Sequence, residues 1–462
     1  MAIGGSGTQA DPWTIGSAED LVAFAGSTSY WAAGTYAKLT ADIDLTGVTY
    51  TPIGNSSTAY SGTFDGDGHT IRNLTITSSG YFVGLFGSTA SGSVLQNIGC
   101  VGFTISGGNN TRSGCLVGNS SGSITNCYAT DCEVSGSDTG GIAGYSGGPI
   151  STCYAYGCDI TGRGSISAIV GKLGTTYVSN CYAYGCTISG STSSSSSYAG
   201  GVIGYTYNGT ISNCSAYECT ISGLDYGYAA GVIGYDSSGT LSNCCAYKCT
   251  ISGRSFDSAG IAGFSGATIS NCYAYGCDIT CRGSESGAPY YTGGIAGHSS
   301  GTLSNCYAYG CDITVESSVS YQVGGVVGYL YAYSGPTPTA SNCATYGGTH
   351  GSTIAGSGSG TITNCYTSND VTSAVFHTQG FWNGTGVEGT TYLSWDFTTP
   401  GWYWDARANL PVLQQPTVVS SPFRVKVSGT WKDVEKTLVK INGTWKEVDQ
   451  VFTKIGGVWK EV

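Results

Sequence analysis

A ten-residue segment, SNCYAYGCDI at residues 270–279, recurs along the chain and constrains its fold more strongly than any other feature. Each copy places two cysteines five residues apart, with tyrosine between them. The first cysteines of the seven clearest copies are Cys127, Cys153, Cys181, Cys214, Cys244, Cys272 and Cys306. Degenerate copies follow at Cys343 and Cys365, and successive copies lie 22 to 37 residues apart. A repeat of this length with variable inserts predicts a solenoid.

Each repeat contains the same series of short segments. A glycine-rich apolar run such as GGIAG comes first, followed by a turn, then GT[IL]SNC, the cysteine–tyrosine segment and [DT]I[ST]G. These segments are short, β-branched and bounded by Gly, Ser and Asn, which is typical of strands. Three such strands per repeat predict an all-β fold, a parallel β-helix whose coils stack about 4.8 Å apart. About eleven coils between His69 and Thr372 would make a rod roughly 50 Å long.

The period-2 alternation of a strand assigns an inside and an outside to the repeat. The first cysteine and the alanine of CYAY point inward, and both tyrosines point outward. Gly276 allows a bend, after which the second cysteine and the isoleucine point inward again. An asparagine column is expected at the turn before the first cysteine, where amides can cap strands or bond one another. Its members are Asn126, Asn180, Asn213, Asn243, Asn271, Asn305, Asn342 and Asn364.

Charge and hydropathy exclude several classes of function. The net charge is −11, and since the tail from Phe423 carries eight Lys/Arg and five Asp/Glu, the preceding residues carry 9 − 23 = −14. Such an acidic body argues against a nucleic-acid partner. No apolar run approaches the ~18 residues of a membrane helix, so membrane insertion is not expected. The first residues, MAIGGSGTQADPW, lack the features of a secretion signal, so we expect the cysteines to fold as thiols in a reducing cytosol.

Two segments, YFVGLFGSTASGSVLQNIG (81–99) and GCLVGNSSGSITNCYATDCEVSG (114–136), resemble the GLUG-motif repeats of bacterial surface and bacteriophage proteins. GSGTQADPWTIGSAEDLVAFA and FDGDGHTIRNLTI resemble the segment that precedes such repeats, and SWDFTTPGWYWDARANLPVL (394–413) resembles a closing segment. The resemblance, over residues 5 to 413, implies a right-handed parallel β-helix. It implies little about function, because the family includes adhesins, protease-associated segments and virion parts.

The tail contains three copies of a VKxxGxWK-like repeat, with Trp431, Trp445 and Trp459 spaced 14 residues apart. Alternating apolar residues around SGT, NGT and GGV predict consecutive hairpins. These repeats resemble terminal modules of bacteriophage structural proteins. Because an isolated hairpin is marginal in water, the tail is expected to dock or to oligomerise. The predicted domains are an N-terminal cap with the first strands at 1–68, a β-helix repeat array at 69–375, a closing segment at 376–416 and a Trp/Lys hairpin module at 417–462.

The tyrosines are the strongest candidates for a binding surface, because the alternation places them in two outward columns. These candidates are Tyr154, Tyr156, Tyr182, Tyr184, Tyr217, Tyr247, Tyr273, Tyr275, Tyr307 and Tyr309. Stacked rings with free hydroxyls suit sugars or another protein. They could equally be ladders that only stabilise the sheet.

The cysteines are expected to be core residues rather than metal ligands, since they lack CxxC spacing and histidine partners. No cofactor and no metal is expected, and a disulfide across the bend remains an alternative. Cys245 and Cys281 depart from the pattern. Cys245 occupies an outward tyrosine position, so we predict that it is the most reactive thiol.

Two carboxylates on adjacent coils, Asp278 and Asp312, are weak catalytic candidates, because glycoside hydrolysis uses paired carboxylates. The alternative is that the position is merely exposed, because Thr occupies it in other repeats. Asp65 and Asp67 in FDGDGHTI suggest a turn rather than a calcium site, which needs more oxygen ligands.

These features together predict a non-enzymatic bacteriophage virion protein of fibre or adhesin type, assembled in the host cytoplasm and released by lysis. Its expected partners are sister chains, other virion proteins and host-surface glycan. The alternatives are a self-assembling subunit of a filament or coat, and a polysaccharide-cleaving enzyme.

Overall fold

Each repeat of the sequence folds into one coil of a parallel β-solenoid of about 10 turns, with 54% of residues in strands. The computed structural model describes side chains in residues 3–191, 197–223, 227–254, 257–282, 290–316, 321–349 and 353–369, and the backbone of strands between Trp402 and Glu461. One coil shows the plan. It runs through sheet 1 (Arg112–Gly114), sheet 2 (Val117–Ser120 and Ser123–Thr125), sheet 3 (Tyr128–Thr130) and sheet 4 (Glu133–Gly136).

The four sheets consist of in-register parallel strands that lie one coil apart. Sheet 1 contains Phe82–Val83, Arg112–Gly114, Asp138–Gly140, Ser165–Ser167, Tyr198–Gly200, Tyr228–Ala230, Ser258–Ala259, Tyr290–Gly293 and Tyr321–Gly324. Sheet 2 contains Trp13–Ile15, Tyr36–Leu39, Thr63–Asp65, Phe86–Thr89, Val94–Gln96, Val117–Ser120, Ser123–Thr125, Ala143–Ser146, Ile150–Ser151, Val170–Leu173, Tyr177–Ser179, Ile203–Ser212, Ile233–Ser242, Ala262–Ser265, Thr268–Ser270, Ala296–Ser299, Thr302–Ser304, Val327–Leu330, Thr339–Ser341, Ala355–Gly358 and Thr361–Thr363.

Sheet 3 contains Ile43–Asp44, Thr70–Arg72, Gly99–Val101, Tyr128–Thr130, Tyr154–Tyr156, Tyr182–Tyr184, Ser215–Tyr217, Cys245–Tyr247, Tyr273–Tyr275, Tyr307–Tyr309 and Ala344–Tyr346. Sheet 4 contains Thr75–Ser78, Thr104–Gly107, Glu133–Gly136, Asp159–Gly162, Thr187–Gly190, Thr220–Ser222, Thr250–Gly253, Asp278–Arg282 and Asp312–Glu316. A coil therefore has up to five strand segments in four sheets, not the three strands that we predicted. The glycine-rich run is the reason, because the chain turns a corner within it.

The coils begin earlier than the repeats suggest. Tyr36–Leu39 already pairs in sheet 2, before the start at His69 that we predicted for the coils and within the region 1–68 predicted to hold the cap and first strands. Before it lies a helix, Ala18–Ala25, whose N-cap Ser17 accepts a hydrogen bond from the Asp20 amide. A 3₁₀ turn, Thr28–Tyr30, follows. The helix covers the first coils.

The interior confirms the alternation of the cysteine–tyrosine segment. Both cysteine columns, and the alanine and isoleucine columns beside them, are buried. All twenty cysteines are free thiols, and Cys365 alone among them is partly exposed. Typical contacts are those of the Cys127 Sγ, which lies 3.3 Å from the Thr125 carbonyl oxygen and 3.7 Å from that of Leu95 on the preceding coil. The cysteines are therefore small apolar core residues that also satisfy backbone acceptors.

The predicted asparagine column is also confirmed. Asn213 adopts a left-handed conformation with φ of 53°, which asparagine tolerates better than other non-glycine residues. Its Nδ2 donates to Asn180 Oδ1 at 3.2 Å, and the same amide-to-amide bond joins Asn305 to Asn271 at 3.1 Å. Gly276 has φ of 58°, as its role in the second bend requires.

The chain divides into two compact units, Met1–Leu413 and Gln414–Val462. The first ends with a hairpin of Trp402–Asp405 and Leu410–Leu413. The second consists of three antiparallel hairpins, as predicted. Their strands are Arg424–Val427 with Thr430–Asp433, Leu438–Ile441 with Thr444–Glu447, and Phe452–Ile455 with Val458–Glu461.

Candidate binding surface

Sheet 3 carries the two predicted tyrosine columns on its outer face. The first tyrosine column consists of Tyr128, Tyr154, Tyr182, Tyr273 and Tyr307, interrupted by Ser215 and Cys245. The second tyrosine column consists of Tyr156, Tyr184, Tyr217, Tyr247, Tyr275, Tyr309 and Tyr346. In-register parallel pairing aligns identical side chains on successive coils, which is why the columns form.

Most neighbouring rings of these columns stack face to face, whereas Tyr217 and Tyr247 are tilted by 52°. Tyr156 and Tyr184 have centroids 5.4 Å apart and planes only 2° from parallel, and Tyr154 stacks on Tyr182 at 5.0 Å. Rings stacked in this way cover one another's faces and present their edges and hydroxyls. Tyr156 is 48% exposed and Tyr184 38% exposed, so this part of the second column is open to solvent. The Tyr184 hydroxyl donates to Glu218 Oε2 at 2.9 Å.

The expectation that all ten tyrosines are exposed is wrong for the last two tyrosines of the first column, Tyr273 and Tyr307. Tyr273 is 5% exposed and Tyr307 is fully buried. They stack at 5.2 Å, and both make further contacts. Burial also raises the pKa of Tyr182, to about 12. Alternation gave the direction of these side chains correctly but did not predict that neighbouring groups cover them.

The prediction that Cys245 is the most reactive thiol is also wrong, because its side chain is fully buried. Its Sγ lies 3.1 Å from Ser215 Oγ and 3.7 Å from the Tyr217 hydroxyl. The short residues Ser215 and Cys245 leave a gap in the first column, and the Tyr217 hydroxyl reaches into it. Cys281 is buried as well, and burial raises its pKa to about 11. Both thiols are therefore shielded from reagents in solvent.

A second aromatic surface, which the sequence analysis missed, lies on sheet 2. In register, one outward position is filled by Asn119, Tyr145, Lys172, Tyr205, Tyr235, Phe264, His298 and Tyr329, which we call the sheet 2 column. The signal was present in the sequence: each residue directly follows the last glycine of the apolar run, as in IAGY, IVGK, VIGY, IAGF and IAGH. It was overlooked because the residue type changes from repeat to repeat.

The sheet 2 column differs from the tyrosine columns in its contacts. Tyr235 stacks on Phe264 at 4.7 Å, but Phe264 meets His298 edge-on at 84°. Rings from sheet 1 also pack against it, such as Tyr228, which meets Tyr235 at 78°. His298 is 5% exposed, and burial lowers the pKa of its imidazole.

Two cations lie within this surface. The Arg112 guanidinium lies 4.2 Å from the ring centroid of Tyr145, and it pairs with Asp138 at 3.9 Å. The Lys172 ammonium lies 5.3 Å from the ring centroid of Tyr205. Both geometries are those of cation–π contacts.

The weak catalytic candidates Asp278 and Asp312 lie side by side in sheet 4, as predicted. Both are exposed. Asp312 Oδ1 accepts a hydrogen bond from the Thr349 amide at 3.1 Å. The neighbouring strands carry Thr or Ser in the same columns, so the pair lies at one end of a hydroxyl-rich face.

The acidic turn at Asp65 is held by hydrogen bonds within the protein. Its two carboxylate oxygens accept from Gln96 Nε2 and Asn97 Nδ2, both at 2.8 Å, and Asp67 pairs with Lys38 at 2.9 Å. Among the described residues, no three His, Cys, Asp or Glu side chains group as metal ligands would. In the same part of the chain, none of the helices has the length and apolarity needed to span a bilayer.

In the tail hairpins, Trp431, Trp445 and Trp459 each pair in register with a lysine: Lys426, Lys440 and Lys454 respectively. The side chains of these predicted docking residues lie outside the described part of the structure, so their role stays a prediction.

Comparison with known proteins supports the fold and says little about activity. The GLUG motif matches residues 195–222. "Halomucin" of Haloquadratum walsbyi is 36% identical over 150 residues, which cover 30% of this chain and 2% of that protein. A "Putative Gly-rich membrane protein" of Evansella cellulosilytica is 31% identical over 132 residues, 27% of this chain and 15% of the relative. The chain thus spans a small part of either relative.

Among solved structures, a "putative immunoglobulin A1 protease" from Bacteroides ovatus is similar over 89% of this chain and 94% of its own, with 18% identity and a TM-score of 0.36. The GLUG motif at residues 195–222 lies within the parallel β-solenoid described above.

Proposed function

We propose that this chain is a non-enzymatic attachment protein, a rigid β-solenoid that binds surface glycans through its second tyrosine column. The observation that supports this proposal most directly is the exposed, parallel stack of Tyr156 and Tyr184. Stacking fixes the rings before a ligand arrives, so little conformational freedom is lost on binding. The hydroxyls recur once per coil, about 4.8 Å apart, and many weak contacts along the rod would add up through multivalency.

The finer form of the proposal places the protein in a bacteriophage virion, as a fibre or adhesin. It is supported by the resemblance of the three hairpin repeats to terminal modules of phage structural proteins. Twenty free thiols are compatible with folding in a host cytoplasm before release by lysis. Sister chains or other virion proteins would then hold the tail.

The attachment proposal is tested by binding of the intact protein to bacterial surface polysaccharides, immobilised as an array. The double variant Tyr156→Ala, Tyr184→Ala should lose most binding. Tyr177→Ala on sheet 2 is the matched control, since Tyr177 is also 48% exposed. Equal loss in the control, or no loss in the double variant, would reject the tyrosine column as the binding surface.

A self-assembling structural subunit is the second candidate, favoured by the separate hairpin unit at residues 414–462. Its test is the native mass of the full chain against a chain ending at Pro416. An oligomer that becomes a monomer on truncation would make the tail an assembly module, whereas a monomer in both cases would exclude self-assembly through it.

Catalysis by Asp278 and Asp312 is the least supported alternative, because both carboxylates are exposed. Polysaccharide cleavage that disappears in Asp312→Asn would establish it and overturn the non-enzymatic proposal.

A further inference from the structure

The sheet 2 column has a break at Lys172, where a charged side chain interrupts the rings, whereas the small residues Ser215 and Cys245 interrupt the first tyrosine column. Lys172 occupies a position between Tyr145 on the preceding coil and Tyr205 on the next. Because successive coils lie about 4.8 Å apart, the Cα atoms of these two tyrosines lie roughly 10 Å apart. A lysine stem is narrower than the ring that would complete the stack. Within the break the Lys172 ammonium packs on the Tyr205 ring, and no aromatic ring of the described part of the chain occupies the position between Tyr145 and Tyr205.

The rings that border this break are held in place by other contacts. Tyr145 stacks on no aromatic ring in the described part of the chain, and the Arg112 guanidinium packs on it instead. Arg112 is itself fixed by donating to Asn119 Oδ1. On the other side, Tyr205 stacks on Tyr235 at 5.4 Å. The two rings are thus ordered from outside the break.

The charge inside the break is uncompensated. Within the described residues, no carboxylate lies within ion-pairing distance of Lys172, whereas Lys38, Arg112 and Arg282 each pair with one. In a chain of net charge −11 with only 17 Lys and Arg, an unpaired, half-buried cation between two tyrosines is unusual. An anionic group on a ligand would supply the missing partner.

We propose that the break around Lys172 binds an acidic sugar residue. The apolar face of a pyranose would pack against the Tyr145 ring, and its carboxylate would pair with the Lys172 ammonium. Nucleic acid is a poor occupant because the body of the protein is strongly acidic. The inference rests on the proposed attachment function for its biological role, but its site lies on sheet 2 and not on the tyrosine columns of sheet 3.

The test uses the full-length protein and isothermal titration calorimetry with oligogalacturonate, and with neutral galactose oligomers of the same length. Wild type should bind the acidic oligosaccharide and not the neutral one, more weakly as salt is added. Lys172→Ala, and Lys172→Tyr, which fills the break with a ring, should each weaken binding at least about tenfold. Lys248→Ala is the matched control, since its ammonium lies 5.2 Å from the Tyr247 ring centroid on sheet 3.

The inference is overturned if Lys172→Ala binds oligogalacturonate as wild type does, if Lys248→Ala weakens binding equally, or if neutral and acidic oligomers bind alike. The double variant Tyr156→Ala, Tyr184→Ala should keep oligogalacturonate binding. If wild type binds no oligogalacturonate while the array still shows attachment through Tyr156 and Tyr184, this inference fails and the proposed function stands. If wild type binds oligogalacturonate through Lys172 but the array shows no attachment through Tyr156 and Tyr184, this inference stands and the proposed function fails.

Discussion

The tyrosine columns of sheet 3 and the aromatic column of sheet 2 arise from the same in-register pairing and differ in their regularity. On sheet 3 most neighbouring rings lie nearly parallel, as Tyr156 and Tyr184 do at 2°, although Tyr217 and Tyr247 are tilted by 52°. On sheet 2 a lysine interrupts the rings, and edge-on contacts such as that of Phe264 with His298 at 84° occur. An uninterrupted stack covers ring faces and stabilises the sheet, whereas an interruption exposes faces and charge. The irregular positions are therefore the better places to look for ligand specificity.

The interior behind the two surfaces differs as well. Behind sheet 3 the alternating position is filled by alanine, as in Ala246 and Ala274. Next to the sheet 2 column the inward position is polar, with Thr206, Asp236 and Ser265 on consecutive coils. Asp236 is fully buried and neither carboxyl oxygen has a well-formed hydrogen bond. Sheet 3 therefore covers small apolar side chains, whereas sheet 2 covers a buried carboxyl group that can titrate.

The largest expected effect is a pH dependence of stability from Asp236. Burial raises the pKa of its carboxyl from 3.8 to about 8. Between these values the unfolded chain is ionised and the folded chain is protonated, so rising pH favours unfolding. The free energy of unfolding should fall by about 1.4 kcal/mol per pH unit in this window, and Asp236→Asn should remove that component.

This dependence is measured by urea unfolding of both proteins between pH 4 and pH 8. The variant should gain stability relative to wild type as pH rises. If the difference in unfolding free energy between the two proteins does not change with pH, the Asp236 carboxyl is ionised in the folded state or is not buried.

The next largest effect is a difference in stability loss between a buried and an exposed tyrosine of sheet 3. Tyr307→Ala removes a fully buried ring and should lower the free energy of unfolding by about 3–5 kcal/mol. Tyr156→Ala removes a ring that is 48% exposed and should cost less than about 1 kcal/mol. Comparable losses in denaturant unfolding would show that the columns are equally exposed along the rod.

A smaller effect is expected at the asparagine column, which lies between sheets 2 and 3. Asn213→Ala removes the bond to Asn180 and places alanine at φ of 53°, for a combined cost of roughly 2 kcal/mol. Asn213→Gly keeps the backbone conformation and removes only the amide. It should be the more stable of the two variants in thermal unfolding, and the reverse order would argue against a left-handed residue there.

The smallest effect concerns thiol reactivity. In the native protein an alkylating reagent should modify Cys365 first, since the other cysteines are buried. The reaction should be slow at neutral pH, because a contact with Cys343 and burial raise the pKa of Cys365. Mass spectrometry after brief alkylation would identify the modified site. Early modification of Cys245 would contradict the structure and restore the sequence-based prediction.

The repeat spacing and its short β-branched segments predicted the solenoid, and the alternation within CYAY predicted the buried cysteines and the outward direction of the tyrosines in those segments. The asparagine column and the bend at Gly276 followed from turn chemistry. The coverage of Tyr273 and the burial of Cys245 did not, because they depend on neighbours that local alternation does not reveal. The sheet 2 column was not predicted because its position in the repeat is filled by different residue types, which include Lys172 as well as aromatic residues.

The central claim, attachment through outward columns of the solenoid, is tested most directly by one glycan array with three proteins. Wild type should bind surface polysaccharides, and the double variant Tyr156→Ala, Tyr184→Ala should lose most of that binding. Lys172→Ala should lose acidic glycans alone. Identical profiles for the three proteins, or no binding by wild type, would contradict the claim and leave the solenoid as a structural subunit.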